Sequence, residues 1–153
     1  MYQACHNQTG QLWALKLYVP EVAAARSAVD RVMREITVIS QLKHPNIVEW
    51  YEQGMTRGQF WFAMEYVAGS PITTYCDQNS LNVRDRLKLF TLVCEGVQHA
   101  HQKAIIHRDL KPSNILVVEV DWKPVPKIID FVVARATSQV LGPGPAVTQP
   151  GCL

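Results

Sequence analysis

Several hallmarks of common protein classes are missing from this chain of 153 residues. It has no apolar run of about 18 residues, which excludes an ordinary transmembrane helix. Its first residues lack the basic flank and apolar block of a secretory signal peptide. Its 15 Lys and Arg residues against 13 Asp and Glu residues give a net charge of only +2, without the basic surplus of nucleic-acid-binding domains. We therefore expect a cytoplasmic protein with no membrane segment and no nucleic-acid partner.

Paired cysteines and internal repeats are also lacking. The four cysteines are isolated and form no Cys-x-x-Cys pair, which argues against a zinc site or a disulfide scaffold. Cys94 lies in an apolar helical pattern and is predicted to be a small core residue. Hydrophobic residues make up 48% of the chain and charged residues 18%, values that are typical of a globular domain.

Hydrophobic periodicity divides the chain into a strand-rich first half and a helical second half. Strands are predicted over residues 1–6, 12–19, 47–51, 59–66, 115–120 and 126–129, and helices over residues 21–42 and about 82–104. Asn82 is the predicted N-cap of the second helix. Its predicted buried stripe is Leu87, Phe90, Val93, Val97, Ala100 and Ala104. This order predicts an α+β fold in two lobes joined by a linker at residues 67–71.

The most informative stretch runs from His107 to Asn114 and reads His-Arg-Asp-Leu-Lys-Pro-Ser-Asn. It resembles the catalytic loop of protein kinases. Other segments resemble further kinase motifs in the family's order: Ala14-Leu15-Lys16, Glu35, Met64-Glu65-Tyr66-Val67 and Asp130-Phe131. Residues 75–77, 97–103 and 119–127 are similar to the serine/threonine kinases of bacteria. The chain is therefore identified as resembling a bacterial, eukaryotic-like serine/threonine protein kinase.

The resemblance implies a truncated two-lobe kinase fold, with a small β-rich lobe carrying one helix and the upper part of a helical large lobe. We expect a partial kinase domain over residues 1–138, with the small lobe at 1–66 and the hinge and upper large lobe at 67–138. The glycine-rich loop is missing, and Val132 stands where the family has the glycine of Asp-Phe-Gly. Residues 139–153 form a Gly- and Pro-rich tail for which we expect no regular structure.

The resemblance also implies roles for the acceptor side of the reaction. Asp109 would accept the proton of the substrate hydroxyl or orient that hydroxyl. Lys111 would reach the γ-phosphate, and a lysine here is typical of serine/threonine kinases rather than tyrosine kinases. Asn114 and Asp130 would be the ligands of Mg²⁺, because both offer hard oxygen donors.

For the nucleotide, the resemblance implies that Lys16 binds the α- and β-phosphates of ATP and that Glu35 orients Lys16 by pairing with it. The adenine would lie between Ala14 and Leu116. The hinge backbone at Glu65 and Val67 would bond the ring, with Met64 in the gatekeeper position. His107 and Phe131 would stack with Ile39 and Trp50.

The activity implied is transfer of the ATP γ-phosphoryl group to Ser/Thr hydroxyls of a protein substrate, with ATP and Mg²⁺ as cofactors. Two alternatives remain open: a pseudokinase-like module that binds nucleotide or a partner, and a gene remnant without function. The retained Lys16, Asp109 and Asp130 favour the enzyme, whereas Val132 and the missing segments favour the alternatives. Because the second helix would lose packing partners, we expect a chain that aggregates or depends on a partner.

Overall fold

The computed structural model describes residues 1–18, 34, 36–56 and 59–131. The chain divides into two compact units. Among the described residues, unit 1 comprises residues 1–18, 34, 36–37, 50–56 and 59–66, and unit 2 comprises residues 38–49 and 67–131. The predicted tail at residues 139–153 lies outside the described residues. The chain passes from unit 1 to unit 2 between Tyr66 and Val67.

Unit 1 contains a four-stranded antiparallel sheet in the order β1-β2-β4-β3. The strands are β1 (Tyr2–Cys5), β2 (Leu12–Tyr18), β3 (Trp50–Thr56) and β4 (Gln59–Glu65). Gly10, with φ of +70°, closes the turn between β1 and β2 in a conformation that suits glycine. Phe62, Ala63 and Met64 of the central strand β4 are buried, so this strand supplies much of the unit's core.

Unit 2 combines a small antiparallel sheet with two helices. The sheet has the order β5 (Ser70–Pro71), β6 (Ile115–Val120) and β7 (Lys123–Ile128), and the helices are α1 (Ile72–Gln78) and α2 (Val83–Gln102). Helix α2 packs on β7, and its buried residues are Leu89, Val93, Gly96 and Ala100. A Cβ on Gly96 would lie 3.0 Å from the Ile128 side chain, so glycine permits the close approach of helix and strand.

A turn at residues 44–47 is fastened to β7. The buried Asn46 side chain donates to the Pro126 carbonyl at 2.9 Å, and its backbone carbonyl accepts from the Ile128 N–H at 2.8 Å. The Val48 N–H then donates to the Ile128 carbonyl at 3.0 Å. These bonds hold the end of β7 just before the segment that carries Asp130.

Most predicted elements are present, with shifted bounds. The third strand is Trp50–Thr56 rather than residues 47–51, because Ile47 instead forms an isolated bridge with Ile128. The strand β7 starts at Lys123 rather than residue 126, although it contains Pro124 and Pro126. Helix α1 was not predicted as a separate helix. Of the predicted helix at 21–42, residues 34 and 36–39 are helical, residues 40–41 form a turn, and residue 42 has no regular structure. Residues 21–33 and 35 lie outside the described residues.

The predicted buried stripe of α2 is wrong at several positions. Leu87 and Phe90 are 59% and 55% exposed, and Ala104 is exposed and lies beyond the end of the helix. Cys94, predicted to be a core residue, is exposed as well. The helix has two apolar faces, and it is the face of Leu89 and Val93 that packs against the sheet.

Candidate active site

The loop between α2 and β6 brings Asp109, Lys111 and Asn114 together. Lys111 Nζ lies 2.8 Å from Asp109 Oδ2. The Asn114 side-chain amide donates to the same oxygen at 3.1 Å and to the Asp109 backbone carbonyl at 2.8 Å. A 3₁₀ turn over Pro112–Asn114 sets this spacing, since the Asn114 N–H donates to the Lys111 carbonyl at 2.9 Å. A lysine and an amide thus converge on one carboxylate.

These neighbours lower the pKa of Asp109, whose carboxyl is ionised at neutral pH even at the ordinary value of 3.8. The hydrogen bond from Lys111 holds the pKa of Asp109 below its ordinary value, with a smaller contribution from the Asn114 amide, while partial burial opposes them. Asp109 is therefore ionised at neutral pH and serves as a hydrogen-bond acceptor. Such a carboxylate can orient a hydroxyl group that approaches it and receive the proton of that hydroxyl.

Asn114 and Asp130 are brought close through the backbone. The N–H of Ile129, the residue before Asp130, donates to the Asn114 carbonyl at 2.9 Å. Asp130 has φ of +55°, a left-handed conformation that is uncommon for residues other than glycine. The side-chain nitrogen of the buried Asn114 is directed to Asp109, which leaves its amide oxygen as the group that could meet a cation.

The donor chemistry at Asn114 and Asp130 fits Mg²⁺. An amide oxygen and a carboxylate are hard ligands, and Mg²⁺ is commonly held by one or two protein side chains while water and phosphate complete its shell. Within the described ranges, no group of three or more His, Cys, Asp or Glu side chains is placed to hold a metal. A magnesium site with only these two protein ligands does not require such a group.

His107 connects the loop to the same backbone segment. Its Nε2 donates to the Ile129 carbonyl at 2.8 Å, so that nitrogen carries the proton. Its ring lies against Phe131, with the ring centroids 4.6 Å apart, and both side chains are buried. The Asp109 N–H donates to the His107 carbonyl at 2.9 Å. The predicted stacking of His107 on Phe131 is present, and it ties the Asp109 loop to the residues around Asp130.

Three further predicted residues share one face of the sheet in unit 1. Ala14 is the register partner of Met64, and Lys16 is the partner of Phe62. Alternate residues of a strand point to the same face, so Ala14 and Lys16 lie on the face that carries Met64. Ala14 and Met64 are buried and Lys16 is partly exposed, so this face carries a cationic side chain next to buried apolar side chains.

The remaining predicted residues are placed as follows. Glu65 ends β4, and Val67 is the first residue after the change of unit. Leu116 is half-buried in β6 opposite Lys127. Ile39 is buried, and Trp50 packs against Phe62 with ring centroids 6.0 Å apart. Glu35 and Val132 lie outside the described residues.

Sequence reasoning gave no site role to Asn46 or Arg108. Asn46 binds β7 a few residues before Asp130. A polar residue directly before the apolar pair Ile47 and Val48, which is buried, is the sequence feature that could have indicated its role. Arg108 is exposed and has φ of +65° between His107 and Asp109. No signal in the sequence indicated that conformation, because arginine is not a residue type that favours positive φ.

Comparison with known proteins gives concordant results. The protein kinase domain family matches residues 1–143. The serine/threonine-protein kinase PrkC of Bacillus subtilis is 35% identical over 126 residues, which are 82% of this chain and 19% of that protein. The CBL-interacting protein kinase 12 of rice (Oryza sativa subsp. japonica) is 33% identical over 139 residues, which are 91% of this chain and 25% of that protein.

Solved structures agree with the family match. The crystal structure of the Mycobacterium tuberculosis PknI kinase domain superposes with a TM-score of 0.69 at 32% identity, over 88% of this chain and 54% of that chain. The predicted α+β, kinase-like fold is thereby confirmed. This chain spans about half of the solved kinase domain and about a quarter or less of the curated relatives named above. In the described part of the chain, every helix is too short or too polar to cross a membrane.

Proposed function

Because the chain belongs to the protein kinase family, we propose that it transfers the γ-phosphoryl group of ATP to Ser/Thr hydroxyls of a protein substrate, in the cytoplasm. The observation that carries this proposal is the convergence of Lys111 and Asn114 on the ionised Asp109. We also propose a small lobe at residues 1–66 and a large-lobe part at 67–138. The change of unit between Tyr66 and Val67 favours this boundary, whereas residues 38–49 group with unit 2 rather than unit 1.

On the acceptor side, Asp109 accepts a hydrogen bond from the substrate hydroxyl and so directs its oxygen at the γ-phosphorus. As the new O–P bond forms, the bond from the γ-phosphorus to the bridging oxygen breaks, ADP leaves, and the hydroxyl proton passes to Asp109. Lys111 lies beside Asp109 and offers a positive charge to the γ-phosphoryl oxygens during transfer. Its ion pair with Asp109 also keeps the carboxylate oriented.

On the nucleotide side, Lys16 pairs with the α- and β-phosphates, and Glu35 orients Lys16. The adenine lies between Ala14 and Leu116, with Met64 in the gatekeeper position. The Glu65 carbonyl and the Val67 backbone bond the edge of the ring. Asn114 and Asp130 would hold Mg²⁺, which when bound neutralises phosphate charge.

Phosphate transfer from radiolabelled ATP to a generic basic protein acceptor tests the proposal. The unsubstituted chain should label the acceptor, and Asp109→Asn should lower the rate by at least about a hundredfold, because an amide cannot take the proton. Asp121→Asn is the matched control, since Asp121 is an exposed carboxylate in the β6–β7 turn. Equal labelling by the Asp109→Asn variant would refute the assigned role.

A thermal-shift series with Mg-ATP separates the alternatives. If the chain binds nucleotide, Mg-ATP should raise the midpoint of thermal unfolding. Lys16→Met should abolish this rise, whereas Lys123→Met, the control at an exposed lysine, should retain it. Binding without phosphate transfer would identify the pseudokinase-like binding module. The absence of any folding transition would identify the remnant, and both results would overturn the enzymatic proposal.

A further inference from the structure

The turn at residues 44–47 meets helix α2 through a pair of histidines. The ring centroids of His44 and His99 are 5.2 Å apart, and both side chains are partly buried. About one helical turn earlier, α2 approaches the same turn so closely that a Cβ on Gly96 would lie 3.3 Å from the Asn46 carbonyl oxygen. Gly96 and His99 are three residues apart and share one face of the helix. This face of α2 therefore packs directly on the turn.

Both rings are placed where a neutral imidazole fits better than a charged one. His44 Nδ1 accepts the Asn46 N–H at 3.1 Å, so the neutral ring carries its proton on Nε2. His99 Nε2 is buried and makes no hydrogen bond within the described part of the chain. A proton on His44 Nδ1 would place two donors face to face, and a charge on His99 would lie at a buried nitrogen. Two charged rings at this separation would also repel each other.

The charged groups around the pair do not favour an added positive charge. Glu95 lies one turn before His99 on α2 and raises the pKa of His44, but burial and the charge of His99 outweigh it, so the pKa is lowered. Further charged side chains come from the turn, from β7 and from the end of α2: Lys43, Glu49, Lys127 and Lys103. With Glu95 included, the cations in this set outnumber the carboxylates by three to two.

The same turn holds the segment that leads to Asp130. The Asn46 side chain donates to a carbonyl of β7 at 2.9 Å, and its own carbonyl accepts from the Ile128 N–H at 2.8 Å. The neighbouring Ile129 donates to the Asn114 carbonyl at 2.9 Å and directly precedes Asp130. A continuous path of hydrogen bonds and covalent bonds therefore leads from the histidine pair, through Asn46, to the residues around Asp130.

We propose that the His44–His99 pair is a pH-sensitive contact that positions the Asp130 segment. When both rings are neutral, the turn stays bonded to α2 and β7. When acid adds a proton, the rings separate into water, Asn46 leaves β7, and the end of β7 loses its bonds to the turn. His44 and His99 act through Asn46 and are positioning residues. The contact lies within unit 2, and only its effect on Mg²⁺ and on phosphate transfer rests on the proposed function.

Amide hydrogen exchange, followed by NMR at about pH 7.5 and about pH 5.5, tests the contact. Protection factors remove the intrinsic pH dependence of exchange, and the amides to follow are those of Asn46, Val48 and Ile128. A histidine with the ordinary pKa of 6.5 in the open turn, and neutral in the closed turn, favours opening by up to about tenfold at the lower pH. The three protection factors should therefore fall by at least about threefold.

Two variants and an internal reference make this test specific. In His44→Asn, which cannot titrate at this position, the fall should be less than about twofold. His101→Gln, which removes an exposed histidine from the same helix, should keep the full fall. The buried Val93 of α2 is the reference, because opening of the turn alone requires faster exchange in the turn than at the Val93 amide. An equal fall in His44→Asn, no fall in the unsubstituted chain, or turn amides as protected as that of Val93 would overturn the proposal.

A titration of the His44 ring by ¹⁵N NMR tests the pairing itself, also if His44→Asn does not fold. After burial, the charge of His99 is the next cause of the lowered His44 pKa, so His99→Gln should raise that pKa toward 6.5. An unmoved His44 titration would show that the two rings do not interact and would contradict the proposal. Neither measurement needs nucleotide or phosphate transfer, so its result is independent of whether the chain is an active kinase.

Discussion

At the level of single residues, the pKa of Asp109 depends on Lys111. Because the Lys111 hydrogen bond is the largest contribution to the lowered pKa, Lys111→Met should raise the pKa of Asp109 toward its ordinary value of 3.8. A carboxyl ¹³C NMR titration of both proteins measures this change without depending on activity. Lys123→Met, which removes an exposed lysine from β7, should leave the titration unchanged. An unmoved Asp109 titration in Lys111→Met would show that the ion pair does not hold the carboxylate.

His44 is a second residue whose pKa is shifted by its neighbours. Its ring lies 5.2 Å from that of His99, and its Nδ1 accepts the Asn46 N–H at 3.1 Å. Burial and then the charge of His99 lower the pKa of His44 from 6.5, against an opposing influence of Glu95. Protonation of Nδ1 would also cost the bond to Asn46.

The direction of this shift sets the pH dependence of stability. Because the folded pKa of His44 is below the unfolded value of 6.5, the unfolded chain binds more protons between the two values. The stabilisation is complete above about pH 6.5 and decreases as the pH falls from there toward the folded pKa. Urea midpoints between about pH 8 and about pH 5.5 should fall more in the unsubstituted protein than in His44→Asn, which cannot titrate. Parallel pH curves for the two proteins would contradict this linkage.

At the level of elements, α2 begins at a side-chain cap. Asn82 Oδ1 accepts the Asp85 N–H at 3.0 Å, and its amide nitrogen donates to the Asp85 carboxylate at 2.9 Å. Asn82→Ala removes both bonds and should lower the free energy of unfolding by about 1 kcal/mol. Asn82→Ser, which keeps an acceptor at the N-cap, should restore most of the loss in a urea titration. If the serine variant loses as much as the alanine variant, the cap is not the source of the stabilisation.

The elements that the sequence predicted well are those specified by local signals. Strand β6 has the predicted bounds, and Asn82 caps α2 as expected, because β-branched runs and N-cap chemistry are properties of neighbouring residues. The buried face of α2 was mispredicted, since its two apolar faces have similar composition and only packing against β7 distinguishes them. The separate helix α1 was not predicted: the predicted linker ends at Pro71, and no element was assigned between it and the N-cap Asn82.

For the site, the identities of the residues were predictable from the sequence, whereas their geometry depends on the fold. The grouping of Asp109, Lys111 and Asn114 was predictable from the resemblance to a kinase loop, because they are neighbours in one turn. The left-handed conformations of Arg108 and Asp130 were not predictable, since neither residue is glycine. Gly69 also went unassigned, although a Cβ there would collide with the Val117 carbonyl, so only glycine fits beside β6.

For the whole molecule, the proposed roles are divided between the two units. Lys16, Ala14 and Met64 belong to unit 1, and Asp109, Asn114 and Asp130 belong to unit 2. The units also differ in their spectroscopic probes. Trp13, Trp50 and Trp61 lie in unit 1, whereas Trp122 and helices α1 and α2 lie in unit 2, so replacing Trp122 confines the tryptophan signal to unit 1. Tryptophan fluorescence and far-UV circular dichroism therefore follow different parts of the chain.

This division predicts a specific response to nucleotide. Since both sets of proposed roles concern the same ligand, Mg-ATP should raise the unfolding midpoints of both probes, by the equivalent of about 2.7 kcal/mol at a hundredfold excess over the dissociation constant. Without nucleotide, the two midpoints should differ, because two compact units need not unfold in one step. The measurement is best made in Trp122→Phe, which removes the exposed tryptophan of unit 2. If Mg-ATP raised only the fluorescence midpoint, unit 1 alone would bind the nucleotide, and the roles proposed for Asn114 and Asp130 would be wrong.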